Sequence, residues 1–311
     1  TTVFESAGRA LLIEPLRGAL VVGQILARAD HPDRVAAWLA RVAAGAVVAF
    51  AHEEPDAHYE PWHVATTAQR DAHGWVLDGH KAVVAHAAAA DGWLVSARLA
   101  GGVRDAAGIG LFWVPRDALG VTVQPYPRID GGGAADLRFT TAQVPAEALV
   151  VGPARASEVL AHGLACATLS LCAEALGAME VALQQTRDYL QTRRQFGRPI
   201  GSFQALQHRV VDLWMAVAQA RSAVINAAAA FDGGDALERD RLIAAAKATI
   251  GHTGTHVAEE CIQLHGGIGM TWELPLAHYA KRLVMIDHEY GDEDHHLARF
   301  IALSRLREAS A

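Results

Sequence analysis

The stretch that decides the fold reads RRQFGRPIGSFQ and occupies residues 193–204. It joins two long helical patterns and concentrates arginine, amide, glycine and aromatic side chains in one turn. Arginine binds phosphate bidentately, and glycine lets a backbone approach a ligand closely. A second stretch of this kind reads CIQLHGGIGM, at residues 261–270. Either stretch alone also fits an ordinary turn between helices, whereas the pair predicts a surface for a flat, anionic ligand.

Length and composition limit the class of protein. A chain of 311 residues with 51% hydrophobic content can bury a large core, and its length favours two domains. A formal net charge of −7 argues against nucleic acid as the main partner. No apolar run reaches membrane-spanning length and no signal peptide is visible, so no membrane partner is expected. Cys166, Cys172 and Cys261 lie far apart in apolar text, which predicts reduced thiols and a cytoplasmic location.

The pattern of apolar and turn-forming residues changes twice along the chain, which predicts three regions. Residues 1–45 read as helical, residues 46–152 as short apolar runs between turn residues, and residues 153–311 as helical again. The middle region is typical of an antiparallel β barrel or sandwich. The last region has a 3–4 apolar spacing from Phe203 to Val224 and a capping box at Asp235 and Glu238, which predicts a bundle of about four helices. The fold class is therefore α+β.

Other chemistries find little support in the sequence. His252 and His256 lie four residues apart on a helical pattern, but no HExxH motif and no third ligand accompany them. The chain also has no Walker loop and no GxGxxG motif after a strand. We therefore expect no metal site.

The whole chain resembles the acyl-CoA dehydrogenase family. The two stretches described above carry the resemblance, together with WVLDGHK at residues 75–81. The resemblance implies an N-terminal helical domain, a middle β domain and a C-terminal four-helix bundle, with FAD as the cofactor and an acyl-CoA as the substrate. Residues 1–45 would be the remnant of the first domain, whose earlier helices we expect to be missing here. Other stretches of the sequence resemble the small subunits of pimeloyl-CoA dehydrogenases.

The resemblance also implies a catalytic carboxylate, which removes an α-proton of the substrate. At the usual position of this base, after the fourth bundle helix, the sequence has Tyr290, and at the alternative position it has Ala167. We therefore expect this chain to lack its own base. Glu289 is one residue away and is the nearest substitute, while Glu174 and Asp287 lie farther off; a structural role is expected for all three.

The half of the site that would face the flavin ring also departs from the family. Two threonines that bind the ring in relatives correspond here to Glu53 and Ala85. His58 and Tyr59 add bulk along the path that an acyl-CoA would take. We therefore expect the chain's own redox pocket to be closed or empty.

The resemblance assigns the remaining motifs to the ADP half of a neighbouring subunit's FAD, held across a dimer interface. The residues expected to bind the cofactor are Arg193, Gln195, Phe196, Gln204, Gln263, Gly266, Gly267 and Asp292. A chain that keeps these residues and lacks the others is expected to work beside a larger catalytic subunit, in a heterotetramer. Two alternatives stay open: a homo-oligomeric enzyme that uses Glu289, and a flavin-free scaffold with the same fold.

Overall fold

The computed structural model describes residues 1–310, which form two compact units. One unit comprises residues 13–166, and the other comprises residues 1–12 together with residues from 167 onward. The first contains two helices and the main sheet, and the second contains a helical bundle. The predicted order of helices, strands and helices, and with it the α+β fold class, is confirmed.

The first unit is built on a sheet preceded by two helices. The helices are α2 (Leu16–Leu26) and α3 (Pro32–Ala43), and α3 begins with a proline, whose fixed φ suits the first helical position. Helix α1 (Thr2–Arg9) belongs to the other unit. The strands are β1 (Val48–Ala51), β2 (Thr67–Arg70), β3 (Trp75–Ala85), β4 (Gly92–Arg98), β5 (Ile109–Pro115), β6 (Val121–Pro127), β7 (Gly133–Val144) and β8 (Leu149–Val151).

The sequence predicted an antiparallel sheet, and the observed sheet is mixed. Its order is β6-β7-β3-β2-β4-β5-β8, and β1 lies beside β4. Strands β1 and β2 both run parallel to β4, whereas the other neighbours are antiparallel. The apolar runs at residues 75–79 and 82–84 form one strand, in which the pairing with β7 shifts after Leu77 and after Lys81. Such bulges bend a strand and re-aim its side chains.

The core of this unit is aromatic and aliphatic. Leu77, Trp93, Phe112 and Leu137 are fully buried and come from four different strands. The indole of Trp93 donates a hydrogen bond to the Ala87 carbonyl at 3.1 Å, so burial leaves its N–H satisfied.

The second unit is a bundle of long helices, joined in part by a short hairpin. The hairpin strands β9 (Arg194–Gln195) and β10 (Arg198–Pro199) lie between α4 and α5. The helices are α4 (Ala156–Thr192), α5 (Gln204–Asp232), α6 (Ala236–His265), α7 (Leu276–Asp287) and α8 (Glu293–Ser310).

The sequence signals that predicted the bundle act as expected, with one difference. Leu213, Val217 and Val224 of the predicted seam are buried on one face of α5. The Asp235 carboxylate accepts hydrogen bonds from the backbone N–H groups of Leu237 and Glu238, which caps α6. The Glu238 side chain pairs with Arg241 instead of reaching back, so half of the predicted capping box forms.

Helix α1 crosses α4 at a point of close backbone contact. A methyl group on Gly8 would overlap the backbone of Glu174, and one on Gly177 would overlap the backbone of Glu5. Arg221 of α5 donates to the Glu5 carboxylate at 3.1 Å. These contacts explain why residues 1–12 belong to the bundle unit.

Helix α4 corrects one statement drawn from the sequence. It contains an 18-residue window with a mean hydropathy of 1.6, which reaches the length and composition of a membrane span. Because 89% of this window is buried inside the protein, α4 packs as the central helix of the bundle.

Candidate functional site

The hairpin after α4 displays an aromatic ring at its tip. Phe196 and Gly197 both have positive φ angles, of 53° and 78°, which is the conformation that closes a two-residue hairpin. Phe196 is 90% exposed, and its ring packs edge-to-face with Phe203, with 6.1 Å between the ring centroids. The Arg198 guanidinium lies over Phe203 at 4.0 Å. The hairpin therefore holds an aromatic face and arginines toward solvent.

The first turn of α5 adds backbone donors beside this hairpin. The N-cap residue is Phe203, whose side chain has no hydrogen-bonding atom to cap the helix, and the first turn contains no acidic residue. The first N–H groups of a helix have no partner within it, and they attract anions. Gln204, the first residue of the helix, and Arg193, just before the hairpin, are both exposed. This corner is suited to a phosphate group.

The second predicted stretch lies next to the first. The ring of Tyr189, near the end of α4, stacks on His265, the last residue of α6, with 4.4 Å between ring centroids. His265 is held in turn by a 2.8 Å hydrogen bond between its Nδ1 and the Cys261 carbonyl. This stack joins the ends of α4 and α6, so that the two stretches share one end of the bundle.

The glycine pair after α6 is open to a ligand. Gly266 and Gly267 are exposed, and a Cβ atom built on either would meet no atom of the described residues within 4 Å. Gln263, one turn earlier, is exposed as well. We call this end of the bundle the anchor surface; it comprises Arg193, Gln195, Phe196, Gln204, Gln263, Gly266 and Gly267.

Asp292 lies apart from the anchor surface within this chain. Its carboxylate accepts a 2.8 Å hydrogen bond from the backbone N–H of His295 at the start of α8. The same turn is fastened to α6 by Lys247, whose ammonium donates to the carbonyls of Asp287 and Gly291. Lys247 precedes His265 by 18 residues, which is roughly 27 Å along the helix. The structure therefore places Asp292 in a helix cap.

The two positions expected for a base carry no carboxylate. Ala167 is fully buried in α4, and Tyr290 lies in the turn after α7 with a φ of 56°. His296 holds the Tyr290 carbonyl through a ring nitrogen at 2.9 Å. The turn that would present a base is thus fixed, but it presents a phenol.

Glu289 is part of a buried ionic group. Arg282 donates to Glu289 and to Glu174, at 2.6 Å in both cases, and the three side chains are 9%, 11% and 7% exposed. Burial would lower the pKa of Arg282, but the two carboxylates outweigh it and raise the pKa above its usual value. A structural hydrogen bond was predicted for Glu174 and is confirmed.

The sheet unit contains a second buried ionic group. Lys81 is fully buried and donates to the Glu54 carboxylate at 2.7 Å, to the His52 carbonyl at 3.0 Å and to the Ser96 hydroxyl at 3.0 Å. Glu54 also accepts from the backbone N–H groups of Ala65 and Thr66. Burial alone would raise the pKa of Glu54, but Lys81 and these donors lower it to about 2. The pair pins the loop at residues 55–65.

The two positions expected to face the flavin ring, Glu53 and Ala85, carry no hydroxyl group. Glu53 is half-buried, and burial raises the pKa of its carboxyl. Ala85 ends β3 and offers no polar group. His58 and Tyr59 lie in the pinned loop, both with positive φ angles, of 47° and 65°.

Comparison with known proteins places these features in one family. Two domain descriptions match the chain: acyl-CoA dehydrogenase, middle domain, over residues 49–142, and acyl-CoA dehydrogenase, C-terminal domain, over residues 157–299. Acyl-CoA dehydrogenase FadE12 from Mycobacterium tuberculosis is 30% identical over 279 residues, which cover 88% of this chain and 71% of that protein. The chain belongs to the acyl-CoA dehydrogenase family.

Solved structures of this acyl-CoA dehydrogenase family share the fold. The Tcur3481-Tcur3483 steroid ACAD G363A variant superposes with a TM-score of 0.86 at 30% identity, over 98% of this chain and 80% of that one. The ChsE4-ChsE5 complex from Mycobacterium tuberculosis superposes with a TM-score of 0.84 at 28% identity, over 96% of this chain and 77% of that one.

FAD is the cofactor of acyl-CoA dehydrogenases, and the two units fit it unequally. The anchor surface fits the ADP half, because it combines exposed arginines, an uncapped helix N-terminus, an exposed aromatic ring and open glycines. The flavin-facing positions do not fit in the same way, since Glu53 carries a carboxyl and Ala85 a methyl group. The mismatch involves the positions expected to face the flavin ring and also Asp292, which lies in a helix cap apart from the anchor surface.

Sequence reasoning missed several residues that shape the site. The Arg282 and Lys81 groups are long-range ion pairs, between residues 108 and 27 positions apart, and no local pattern reveals such pairs. The Tyr189–His265 stack was missed for the same reason. The only signal in the sequence was the occurrence of single charged residues within apolar segments.

Proposed function

We propose that this chain is a subunit of a flavin-dependent acyl-CoA dehydrogenase that lacks its own catalytic base and anchors the ADP half of a partner's FAD. The partner is a larger, catalytically complete subunit of the same family, and the assembly is a heterotetramer. FAD supplies the chemistry of hydride acceptance. This chain contributes binding and orientation, and the acyl-CoA is bound mainly by the partner.

The observation that carries the proposal is the engagement of Glu289. A general base needs a free carboxylate within hydrogen-bond reach of the proton that it removes. Glu289 instead accepts a 2.6 Å hydrogen bond from a buried arginine that it shares with Glu174. Freeing it would strand an unpaired charge in the interior, which costs about 3–5 kcal/mol. Tyr290 and Ala167, at the two family positions, offer no base.

The anchor surface supports the second part of the proposal. Phe196 presents its ring to solvent, where a flat base can stack, and the uncapped start of α5 can bind a phosphate. Arg193 is exposed just before the hairpin. A soluble monomer gains nothing from exposing 90% of a phenylalanine at a hairpin tip. A bound cofactor and a neighbouring subunit would cover it.

Two structural relatives lend support at the level of assembly. They are the ChsE4-ChsE5 complex and the Tcur3481-Tcur3483 steroid ACAD. The fold of this chain is therefore compatible with a heteromeric member of the family. Its three cysteines are free and buried, which agrees with the proposed reducing, cytoplasmic location.

The flavin absorbance near 450 nm tests the proposal. The chain is purified alone and then co-expressed with a candidate large subunit. We expect a colourless protein alone and a yellow complex that contains about half the flavin per chain of a homo-oligomeric relative. A yellow protein that bleaches with an acyl-CoA in the absence of a partner would refute the proposal.

Two alternatives give different results in the same experiment. A homo-oligomeric enzyme that uses Glu289 would be yellow alone and would lose bleaching on Glu289→Gln. A flavin-free scaffold would leave the flavin content of the complex unchanged on Arg193→Ala.

A further inference from the structure

His265, the last residue of α6, has one ring nitrogen that the protein uses and one that it leaves open. Nδ1 lies 2.8 Å from the Cys261 carbonyl, one turn earlier in the helix. Within the part of the chain that the structure describes, Nε2 has no hydrogen-bond partner. His265 is only 5% exposed. A polar atom at this depth normally has a partner, so the open nitrogen calls for one from outside the chain.

The contact with Cys261 determines which ring nitrogen carries the hydrogen. A backbone carbonyl only accepts hydrogen bonds, so Nδ1 is the donor. Burial lowers the pKa of His265 below its ordinary value, and the ring is therefore neutral near neutral pH. In a neutral ring with its hydrogen on Nδ1, the other nitrogen bears a lone pair. Nε2 is thus a hydrogen-bond acceptor, which binds an N–H or O–H group and not a phosphate oxygen.

The ring is held in this orientation on three sides. Tyr189 stacks on one face, with 4.4 Å between the ring centroids and an interplanar angle of 24°. Gly269 lies so close that a Cβ atom built on it would be 3.1 Å from the Cβ atom of His265. The bond from Nδ1 fixes the third side. A side chain that is already ordered loses little entropy when it binds a ligand, which favours binding.

The open nitrogen borders the anchor surface. His265 directly precedes Gly266 and Gly267, which are exposed and have no side chain that could cover the ring. On the other side of the stack, Tyr189 lies one turn before Arg193, whose backbone N–H donates to the Tyr189 carbonyl at 2.8 Å. The stacked pair therefore connects the glycine pair with the arginine hairpin. A ligand that contacts both passes close to His265.

We propose that His265 Nε2 accepts a hydrogen bond from the adenosine moiety of the ligand that the anchor surface binds. The inference deepens the proposed function and rests on it, because it requires the ADP half of FAD at this surface. The phosphates of ADP offer no donor at neutral pH, whereas adenosine offers the amino group of adenine and the hydroxyl groups of ribose. His265 then recognises the nucleoside, while the arginines and the start of α5 attract the phosphates.

The burial of the nitrogen sets the size of the effect. A ligand without the donor would cover Nε2 and leave it unpaired, and a site with unpaired buried polar groups rejects such a ligand. One neutral hydrogen bond of this kind corresponds to about a 3- to 10-fold difference in affinity.

Calorimetric titration of ADP into the flavin-free complex with the large subunit tests this contact. His265→Phe keeps an aromatic ring that can stack on Tyr189 but has no nitrogen. His256→Phe, the same change at an exposed position of α6, is the matched control. We expect H265F to bind ADP about 3- to 10-fold more weakly than the wild type, and H256F to bind it as the wild type does. Circular dichroism checks that the variants are folded, and His265→Leu repeats the comparison with a second side chain that lacks a nitrogen.

Three analogues identify the donor and distinguish a direct contact from a structural defect. Inosine diphosphate lacks the amino group, and 2′-deoxy-ADP and 3′-deoxy-ADP each lack one ribose hydroxyl. We expect the wild type to bind one of them about 3- to 10-fold more weakly than ADP, and H265F to bind that analogue and ADP equally. A structural defect in H265F would instead weaken all four ligands by the same factor.

The outcomes separate this inference from the proposed function. Equal binding of ADP by the wild type and H265F, a uniform loss for all four ligands in H265F, or a wild type that does not discriminate among them would overturn the inference and leave the proposed function intact. A wild-type complex that binds no ADP would refute the anchor surface, and with it both the inference and the proposed function.

Discussion

Replacement of Lys81 by methionine tests the buried ion pair of the sheet unit. Lys81→Met keeps the volume of the side chain but removes the charge that faces Glu54 at 2.7 Å. The Glu54 side chain is 3% exposed, so its carboxylate would remain in the interior without a cation. Breaking a buried pair in this way costs about 3–5 kcal/mol. The pKa of Glu54, about 2 against 4.5 when unfolded, gives about 3 kcal/mol independently.

The pair as a whole contributes less than this figure. Burial lowers the pKa of Lys81, so the cost of burying its charge offsets part of the gain at Glu54. The double variant Lys81→Met with Glu54→Gln removes both charges. We expect it to regain most of the stability that the single variant loses, because no charge remains unpaired.

The dependence on pH gives the sharper signature. In the wild type, the pKa of Glu54 is lowered, so its contribution is complete above pH 4.5 and is lost as the pH falls toward 2. In K81M, the charge of Lys81 no longer offsets burial, so we expect the pKa of Glu54 to rise and the contribution of Glu54 to stability to fall as the pH rises.

Thermal unfolding of the wild type, K81M and the double variant between pH 3 and 7 measures this directly. We expect K81M to melt about 10 °C lower at pH 7 and to recover as the pH falls. A loss in K81M that stays the same at every pH, or a double variant as unstable as the single one, would refute the reasoning.

Three further predictions concern packing and burial. Gly79→Ala places a Cβ atom 2.5 Å from Thr66 and should lower the free energy of unfolding in urea by roughly 2–4 kcal/mol. Gly23→Ala, with open space around it, is the control and should raise this free energy by up to about 1 kcal/mol. Equal effects of the two substitutions would contradict the packing. Burial raises the pKa of Cys166, Cys172 and Cys261 to about 11, 12 and 11. Iodoacetamide should therefore label none of these thiols in the native protein at pH 8 and all three in urea. Rapid labelling of the native protein would contradict their burial. Arg282→Met should lower the free energy of unfolding by about 3–5 kcal/mol, and adding Glu174→Gln with Glu289→Gln should restore part of it; a harmless R282M would mean that the buried group is not ionic.

The sequence was sufficient for the parts of the fold that depend on local patterns. The strand runs, the bundle seam of α5 and the Asp235 cap all rest on residues close together in the chain, and the structure contains each of them. The parallel pairing of β1 and β2 with β4 rests on contacts across the sheet and was not predicted.

In the candidate site, too, local motifs could be predicted from the sequence, whereas long-range contacts could not. The two glycine-rich stretches were visible in the sequence, but their meeting depends on the Tyr189–His265 stack between helices that end 73 residues apart. The engagement of Glu289 was equally hidden, because Arg282 reaches it from α7 and is shared with Glu174 of α4. The local sequence indicated Glu289 as the candidate base, whereas its pairing with Arg282 depends on long-range packing.

Flavin content and turnover of the heteromeric complex test the central claim most directly. The large subunit is co-purified with the wild-type chain, with Arg193→Ala or with Glu289→Gln, and the absorbance near 450 nm and the bleaching by acyl-CoA are recorded for each. We predict that R193A depletes the flavin of the complex, while E289Q keeps both the flavin and the bleaching. Full flavin with R193A together with loss of bleaching in E289Q would contradict the account and make Glu289 the base.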